Sequence, residues 1–342
     1  MHAPNGVPRS EEDLEDRLSR PSPSLHAILE RVPGDIIILG AGGKMGPSLT
    51  SMARRADPGR RIIAVSRWSN THAADALTAL GIEVVRADLR DPRAVAALPD
   101  APNVVFMAGQ KFGTSDSPAS TWAMNAAVPA FVSERFAGAR TVVFSTGNVY
   151  PLTAPDRGGS SETDAPQPVG EYAFSCLARE RLFAAAAGRH GSPVAIVRLN
   201  YAHDLRYGVL TDLATRIAHG QPVRLDMSFV NVIWQGDANA LALAALVHAA
   251  APEPFVVNVA GPDILRVADL AQRLGSRLNS EPVFSGAENA SALLSNASRM
   301  GTLTGDPLLP LDTLVHWTAA WVRAGGRLLG KPTGFEQRDG QF

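Results

Sequence analysis

The feature that most constrains this chain is a short apolar run that ends in glycines. Asp35-Ile36-Ile37-Ile38-Leu39 has no polar alternation, which is the pattern of a strand covered on both faces. It runs into Gly40-Ala41-Gly42-Gly43-Lys44-Met45-Gly46, four glycines in seven residues, and then into a helical pattern reaching about residue 55. A strand, a glycine turn and a helix in that order make the first unit of a parallel sheet. The glycines permit positive φ and let the backbone approach a pyrophosphate. The helix start beyond them offers free N–H groups to the phosphate charge. Residues 40–46 therefore read as a dinucleotide loop; four glycines argue against a plain tight turn.

Beyond the loop, apolar runs and helical patterns alternate. Strands are predicted at 61–65, 83–87, 104–108, 141–144 and 194–199, separated by helices at 71–80, 94–98, 122–137 and 171–187. That rhythm defines the α/β class and a Rossmann-type doubly wound parallel sheet. After residue 200 the alternation loosens into helices at 210–219, 237–250 and 267–278, with short β-runs at 222–225, 231–234 and 255–259. The chain divides into a lead-in (1–33), a dinucleotide-binding domain (34–200), a smaller C-terminal substrate lobe interleaved with the last sheet elements (201–330) and a tail (331–342). The tail is polar, with Phe335 and Phe342 as anchors. It is expected either to be mobile or to dock at a dimer interface.

Composition narrows the partners. With 32 basic and 33 acidic residues the formal net charge is -1, and no basic run points to nucleic acid or an anionic membrane. The single cysteine, Cys176, excludes an intramolecular disulfide and argues against a thiolate zinc site. The eight histidines show no metal-ligand spacing, so no metal is assigned. No apolar stretch approaches the ~20 residues of a membrane helix, and residues 1–20 hold no apolar signal core. The expectation is a soluble, cytoplasmic protein acting on a small molecule.

The second strand ends in Val65-Ser66-Arg67-Trp68. An acidic residue there would take the ribose 2′-OH of NAD. A hydroxyl and a guanidinium suit a 2′-phosphate instead, so NADP is preferred over NAD as the cofactor. Asp88, closing the third strand with Leu89, is placed to accept from an adenine amino group, although an ordinary strand-end turn explains it equally well.

Taken together, several motifs resemble the extended short-chain dehydrogenase/reductases, the NAD-dependent epimerases and dehydratases. Gly40, Gly43 and Gly46 have the spacing of that group's Gly-x-x-Gly-x-x-Gly loop. Asp88-Leu89 resembles its adenine-side motif, and Met107-Ala108-Gly109 its cofactor-lining segment after strand four. Asn125 is similar to its helix asparagine, and Phe144-Ser145-Thr146-Gly147-Asn148-Val149-Tyr150 to its strand-five signature. Arg198-Leu199-Asn200-Tyr201 and Gln235-Gly236-Asp237 resemble later landmarks. The resemblance spans roughly residues 34–262.

It implies a site in which Thr146 holds a carbinol oxygen and Tyr172 moves its proton. In the group, a lysine four residues after the tyrosine binds the nicotinamide ribose and acidifies the tyrosine. Here that position is Cys176. A tyrosine ordinarily titrates near ~10, and a neutral thiol neither lowers that value nor replaces an ammonium. Cys176 reads as a small residue facing the ribose rather than as a nucleophile. Lys111, after strand four, is the candidate substitute cation. Arg206 is a second, better suited to a substrate anion. Arg206, Tyr207 and Asn231, with Trp234, lie in the lobe that would cover substrate, where plain packing is the competing explanation.

The expectation is an NAD(P)-dependent oxidoreductase or epimerase for a sugar-like or hydroxy-carbonyl small molecule. The alternatives are a non-catalytic NADP-binding sensor or partner protein, and an epimerase or dehydratase that holds and recycles its cofactor. The resemblance further implies a homodimer through helices 122–137 and 171–187.

Overall fold

A computed structural model describes residues 6–331 and 333–341. Two short helices lead in, α1 (Glu11–Leu18) and α2 (Leu25–Glu30). The alternating part follows as β1 (Ile36–Leu39), α3 (Gly46–Ala56), β2 (Ile62–Ser66), α4 (Thr71–Ala79), β3 (Glu83–Arg86), α5 (Pro92–Ala96) and β4 (Asn103–Phe106). It continues as α6 (Pro118–Trp122), α7 (Val128–Arg135), β5 (Arg140–Thr146), α8 (Gly170–His190) and β6 (Val194–Leu199). The lobe adds β7 (Ala202–His203), α9 (Val209–Ala218), β8 (Val223–Arg224), β9 (Phe229–Val230), β10 (Ile233–Trp234) and α10 (Gln235–Ala244). It is completed by β11 (Phe255–Val259), β12 (Leu265–Arg266), α11 (Val267–Leu278), β13 (Phe284–Ser285) and α12 (Leu311–Arg323).

Seven strands pair in the order β11-β6-β5-β4-β1-β2-β3, every pair parallel. The apolar run at β1 is fully buried because helices cover both of its faces. Ile36 and Ile38 face the cluster formed with α2, α3 and α10, while Ile37 and Leu39 face the cluster under α5, α7 and α8. The strand order reverses between β4 and β1, where the carboxyl ends of open α/β sheets leave a ligand crevice. The glycine loop after β1 and the segment after β4 flank that crevice.

The structure refines three sequence expectations. The helix expected over 122–137 is α6 and α7 joined by a π-turn, Ala123–Ala127. Pro129 has no N–H to return to residue 125, so the helical ladder is interrupted there. The run at 255–259 leaves the lobe and becomes an edge strand of the main sheet. The lead-in is structural: Leu14 and Leu18 enter the lobe core, where Arg17 stacks 4.9 Å from the Trp317 ring, while α2 packs under the sheet. Helix α12 was not expected from the sequence. Its Leu314, Val315, Trp317, Ala319 and Trp321 fill the lobe core.

Candidate active site

The glycine loop has the shape its composition implies. Gly40 has φ of 94°, and a Cβ there would lie 2.6 Å from the Ala108 nitrogen, so the loops after β1 and β4 touch only because residue 40 has no side chain. Helix α3 starts at Gly46 with Pro47 in its first turn, no acidic residue there and no side-chain cap. Gly46 donates back to the Gly43 carbonyl at 3.1 Å and Pro47 has no N–H, so the helix offers an anion mainly the positive end of its dipole. This cradle fits a dinucleotide pyrophosphate, with Gly42, Gly43 and the Met45 and Gly46 backbone along it. Ser66 lies directly under the loop: a Cβ on Gly42 would meet its hydroxyl oxygen at 2.5 Å.

The far end of the crevice holds the residues expected for proton transfer. Thr146 ends β5 and Tyr172 lies in the first turn of α8. Both line one cavity of about 150 Å³ together with Lys44, Lys111, Asn148 and Tyr207. The Thr146 hydroxyl accepts from the Asn148 backbone N–H at 3.2 Å and its side-chain amide at 3.0 Å. The Tyr172 hydroxyl makes hydrogen-bonding contact with both Thr146 and the Cys176 thiol. Burial, and then the neighbouring Cys176, push the Tyr172 pKa above its ordinary value; Arg179 and Thr146 oppose the shift. Burial also raises the Cys176 thiol, which is fully enclosed against Val149 and Tyr150. A buried, protonated thiol is a poor nucleophile.

Two lysines supply the local positive charge. Lys111 donates to the Thr333 carbonyl at 3.0 Å, and desolvation pulls its pKa down to about 8, with Asp212 and Cys176 opposing. Lys44 reaches across the crevice from the glycine loop and lies 3.6 Å above the Tyr207 ring. It keeps accessible surface in the cleft, yet the protein around it desolvates it, lowering its pKa to about 7 against the pull of Asp204.

A third cation, Arg179, lies behind the tyrosine. It is buried and makes no ion pair among the described residues. Its guanidinium donates to the Phe144 carbonyl and to Asn125 Oδ1, both at 2.8 Å. A side chain at Gly109 would collide with it, a Cβ lying 2.8 Å from Nη2. Asn125 is fully buried and clasps residue 110, accepting from its N–H and donating to its carbonyl, each at 2.9 Å. It therefore shapes the segment after β4 instead of facing the crevice.

Several expected residues stand elsewhere. Arg206 is turned away from the cavity and pairs with Asp204 at 2.6 Å and Glu15 at 2.7 Å. Carboxylates on two sides satisfy the guanidinium, so it fastens the lobe to α1. Asn231 is buried behind Asn200 and donates to the Ser295 carbonyl at 2.7 Å. Trp234 packs edge-on against Trp317. Leu89 is a core side chain. Asp88 does stand at the strand end, its carboxyl held at about 2 by the Arg90 guanidinium. Met107 is half-buried and Ala108 buried beside the glycine loop, and Arg67 is exposed at the end of β2.

Sequence reading gave no site role to Arg179, Asp212, Tyr201 or Thr333. Tyr201 lines the cavity with φ of 48°, a left-handed backbone that costs a non-glycine residue about 1–3 kcal/mol and clusters at functional sites. Thr333 belongs to the tail, which docks on its own chain. Its N–H and hydroxyl donate to Asp212 at 2.8 and 2.6 Å, Phe335 is buried, and Glu336 pairs with Arg216 at 2.8 Å. Arg338 donates to the Ser291 carbonyl at 2.7 Å, and Gly340 packs against Val169 and Gly170 at the start of α8. No local signal separates this segment from a mobile end; Phe342 lies outside the described residues.

Known structures share the fold. MoeE5 in complex with UDP-glucose and NAD superposes with a TM-score of 0.67 at 19% identity, over 85% of this chain and 99% of that one. Pal from Bacillus thuringiensis gives 0.71 at 17% identity, over 85% and 99%. UDP-glucuronic acid 4-epimerase from Bacillus cereus in complex with NAD gives 0.69 at 16%, over 84% and 96%. No curated protein matches the chain. Among the described residues, no helix is long and apolar enough to cross a membrane.

The sequence pattern of the NAD dependent epimerase/dehydratase family matches residues 36–260. That span opens on the first residue of β1 and closes just beyond β11, so it takes in the whole seven-stranded sheet, the glycine loop, Thr146 and Tyr172. The chain belongs to the NAD dependent epimerase/dehydratase family and is one of its enzymes.

Proposed function

We propose that the protein is an NAD(P)-dependent oxidoreductase or epimerase that interconverts a carbinol and a carbonyl on a sugar-like or hydroxy-carbonyl small molecule. The observation that carries this reading is the Thr146–Tyr172 hydroxyl pair in a cavity at the end of the glycine loop. When bound, the nicotinamide dinucleotide supplies or accepts the hydride. The chain's residues do the rest. Thr146 holds the substrate oxygen, and Tyr172 gives or takes its proton. Lys111 and Arg179 supply the positive charge that the residue at position 176 does not.

Arg67 underlies the proposed preference for NADP. No carboxylate ends β2, and the Asp88 carboxylate beyond it is engaged by Arg90, leaving Arg67 open to a 2′-phosphate. Calorimetric titration should show NADPH binding more tightly than NADH. Arg67→Ala should remove most of that difference, on the order of tenfold for one charge-assisted contact. Equal affinities for the two would end the preference. Binding of neither, with no nucleotide released on denaturation, would end the dinucleotide reading. Released nucleotide would instead mark the tightly held, recycled cofactor.

A second reading has one observation in its favour: Tyr172 is buried beside a thiol where the family places a lysine, and its hydroxyl is held in the neutral form. On that reading the chain binds cofactor and senses or partners without turnover. Homodimer formation through helices 122–137 and 171–187 is supported by Trp122 and Phe174, which expose 40% and 51% of their surface there. A light-scattering mass of one chain would remove that part.

A further inference from the structure

The cavity has two features that the proposed reaction does not explain, its charge and the tail that walls it. Lys44 comes from the glycine loop, and its ammonium makes no ion pair among the described residues. It rests on Tyr207 and points into the same space as Lys111, Thr146 and Tyr172. The carboxylates nearby are committed elsewhere, Asp204 to Arg206 and Asp212 to the backbone and hydroxyl of Thr333. Two ammonium groups thus face one small cavity without a carboxylate bonded to Lys44. Such a cavity attracts an anion, and partial desolvation strengthens that attraction.

The tail supplies one wall of the cavity. The tail crosses from α9, where Asp212 and Arg216 hold Thr333 and Glu336, to the start of α8, where Gly340 meets Val169 and Gly170. Buried Phe335 and the Arg338 contacts to Ser291 fix it between these ends. Thr333 becomes a wall of the cavity, and its carbonyl takes the Lys111 ammonium. The space between these walls is about 150 Å³ and stays open to the surface.

We propose that the substrate is a hydroxy-carbonyl compound bearing a carboxylate, held by Lys44 with Lys111 beside it, and that the C-terminal tail completes the cavity wall next to Lys111. This rests on the reaction assigned above.

The test uses the full chain loaded with NAD, and calorimetry with D-glucuronate and D-glucose. D-glucuronate and D-glucose differ only in a carboxylate against a hydroxymethyl group, so their difference reports charge alone. D-glucuronate should bind, and D-glucose should bind about tenfold more weakly or less. Lys44→Gln should weaken D-glucuronate about tenfold, and Lys44→Arg, which keeps the charge, should restore most of the loss. The proposal is overturned if D-glucuronate does not bind, if D-glucose matches it, or if Lys44→Gln leaves affinity unchanged. NAD binding is measured first on every variant. Failure to bind NAD counts against the dinucleotide reading alone, because the glucuronate–glucose contrast is then scored on the cofactor-free chain.

Discussion

Tyr172→Phe should lower turnover by about 10²–10⁴-fold, the span over which positioned acid–base groups act, while NAD(P) affinity is retained. The substitution removes one oxygen and keeps the ring against Val149 and Tyr150, so the fold has no reason to change. What disappears is the proton route at the hydroxyl that Thr146 contacts. The pH profile carries a second signature. Burial raises the Tyr172 pKa above its ordinary value, so the phenol stays protonated across neutral and mildly alkaline pH. Reduction, which draws on the protonated form, should therefore lose no rate to the tyrosine over pH 6–9 (about one unit below an unperturbed tyrosine), and a fall near pH 8 would report the Lys111 ammonium instead. Oxidation needs the phenolate and should keep rising with pH without a plateau in that range. A variant with unchanged turnover on an identified substrate would take the proton-transfer role from Tyr172. A wild-type chain that binds cofactor and turns over none of a panel of hydroxy-carbonyl compounds would favour the non-catalytic reading.

Glu180→Ala should be the most damaging single change to stability, costing about 3–5 kcal/mol because it leaves a buried guanidinium without its counter-charge. Glu180 on α8 accepts from Arg198 Nε at 3.0 Å and Nη2 at 2.7 Å, and from the Ser145 hydroxyl at 2.5 Å; both charged residues are buried. Arg198 Nη1 donates onward to the Tyr150 hydroxyl at 2.7 Å, which donates to Asn258 at 2.9 Å. One carboxylate thus fixes the tyrosine-bearing helix to β5, beside Thr146, and to β6. At about 2–4 °C per kcal/mol for domains somewhat smaller than this one, the melting temperature should fall by roughly 6 °C or more. Arg198→Ala, which strands the carboxylate instead, should do comparable harm. The double replacement should cost less than the sum of the two, since neither charge is then left alone. Additive losses would mean that the pair is not the anchor.

The residues that were legible in the sequence are those whose chemistry is written locally. The apolar run at 36–39, the glycines at 40–46, Asp88, Thr146 and Tyr172 all stand in the structure where strand–loop–helix order puts them. Cys176 is likewise visible by its spacing from Tyr172. Arg206 and Asn231 were misplaced because a polar residue in a covering lobe looks the same whether it faces a cavity or a carboxylate of another helix. Here Glu15, from the lead-in, and Ser295 claimed them.

The sequence by itself determined the parallel sheet, the crevice and the missing lysine, because hydrophobic period, turn glycines and i,i+4 spacing act over a few residues. Only the tertiary structure decided which cations surround the tyrosine. Lys44, Lys111 and Arg179 come from three separate segments, and their charge at the site depends on distances that no local pattern encodes. The same holds for the tail. Nothing in residues 331–342 distinguishes a loose end from a strap; the distinction lies in Asp212, Arg216 and the start of α8, which wait more than a hundred residues upstream to hold it.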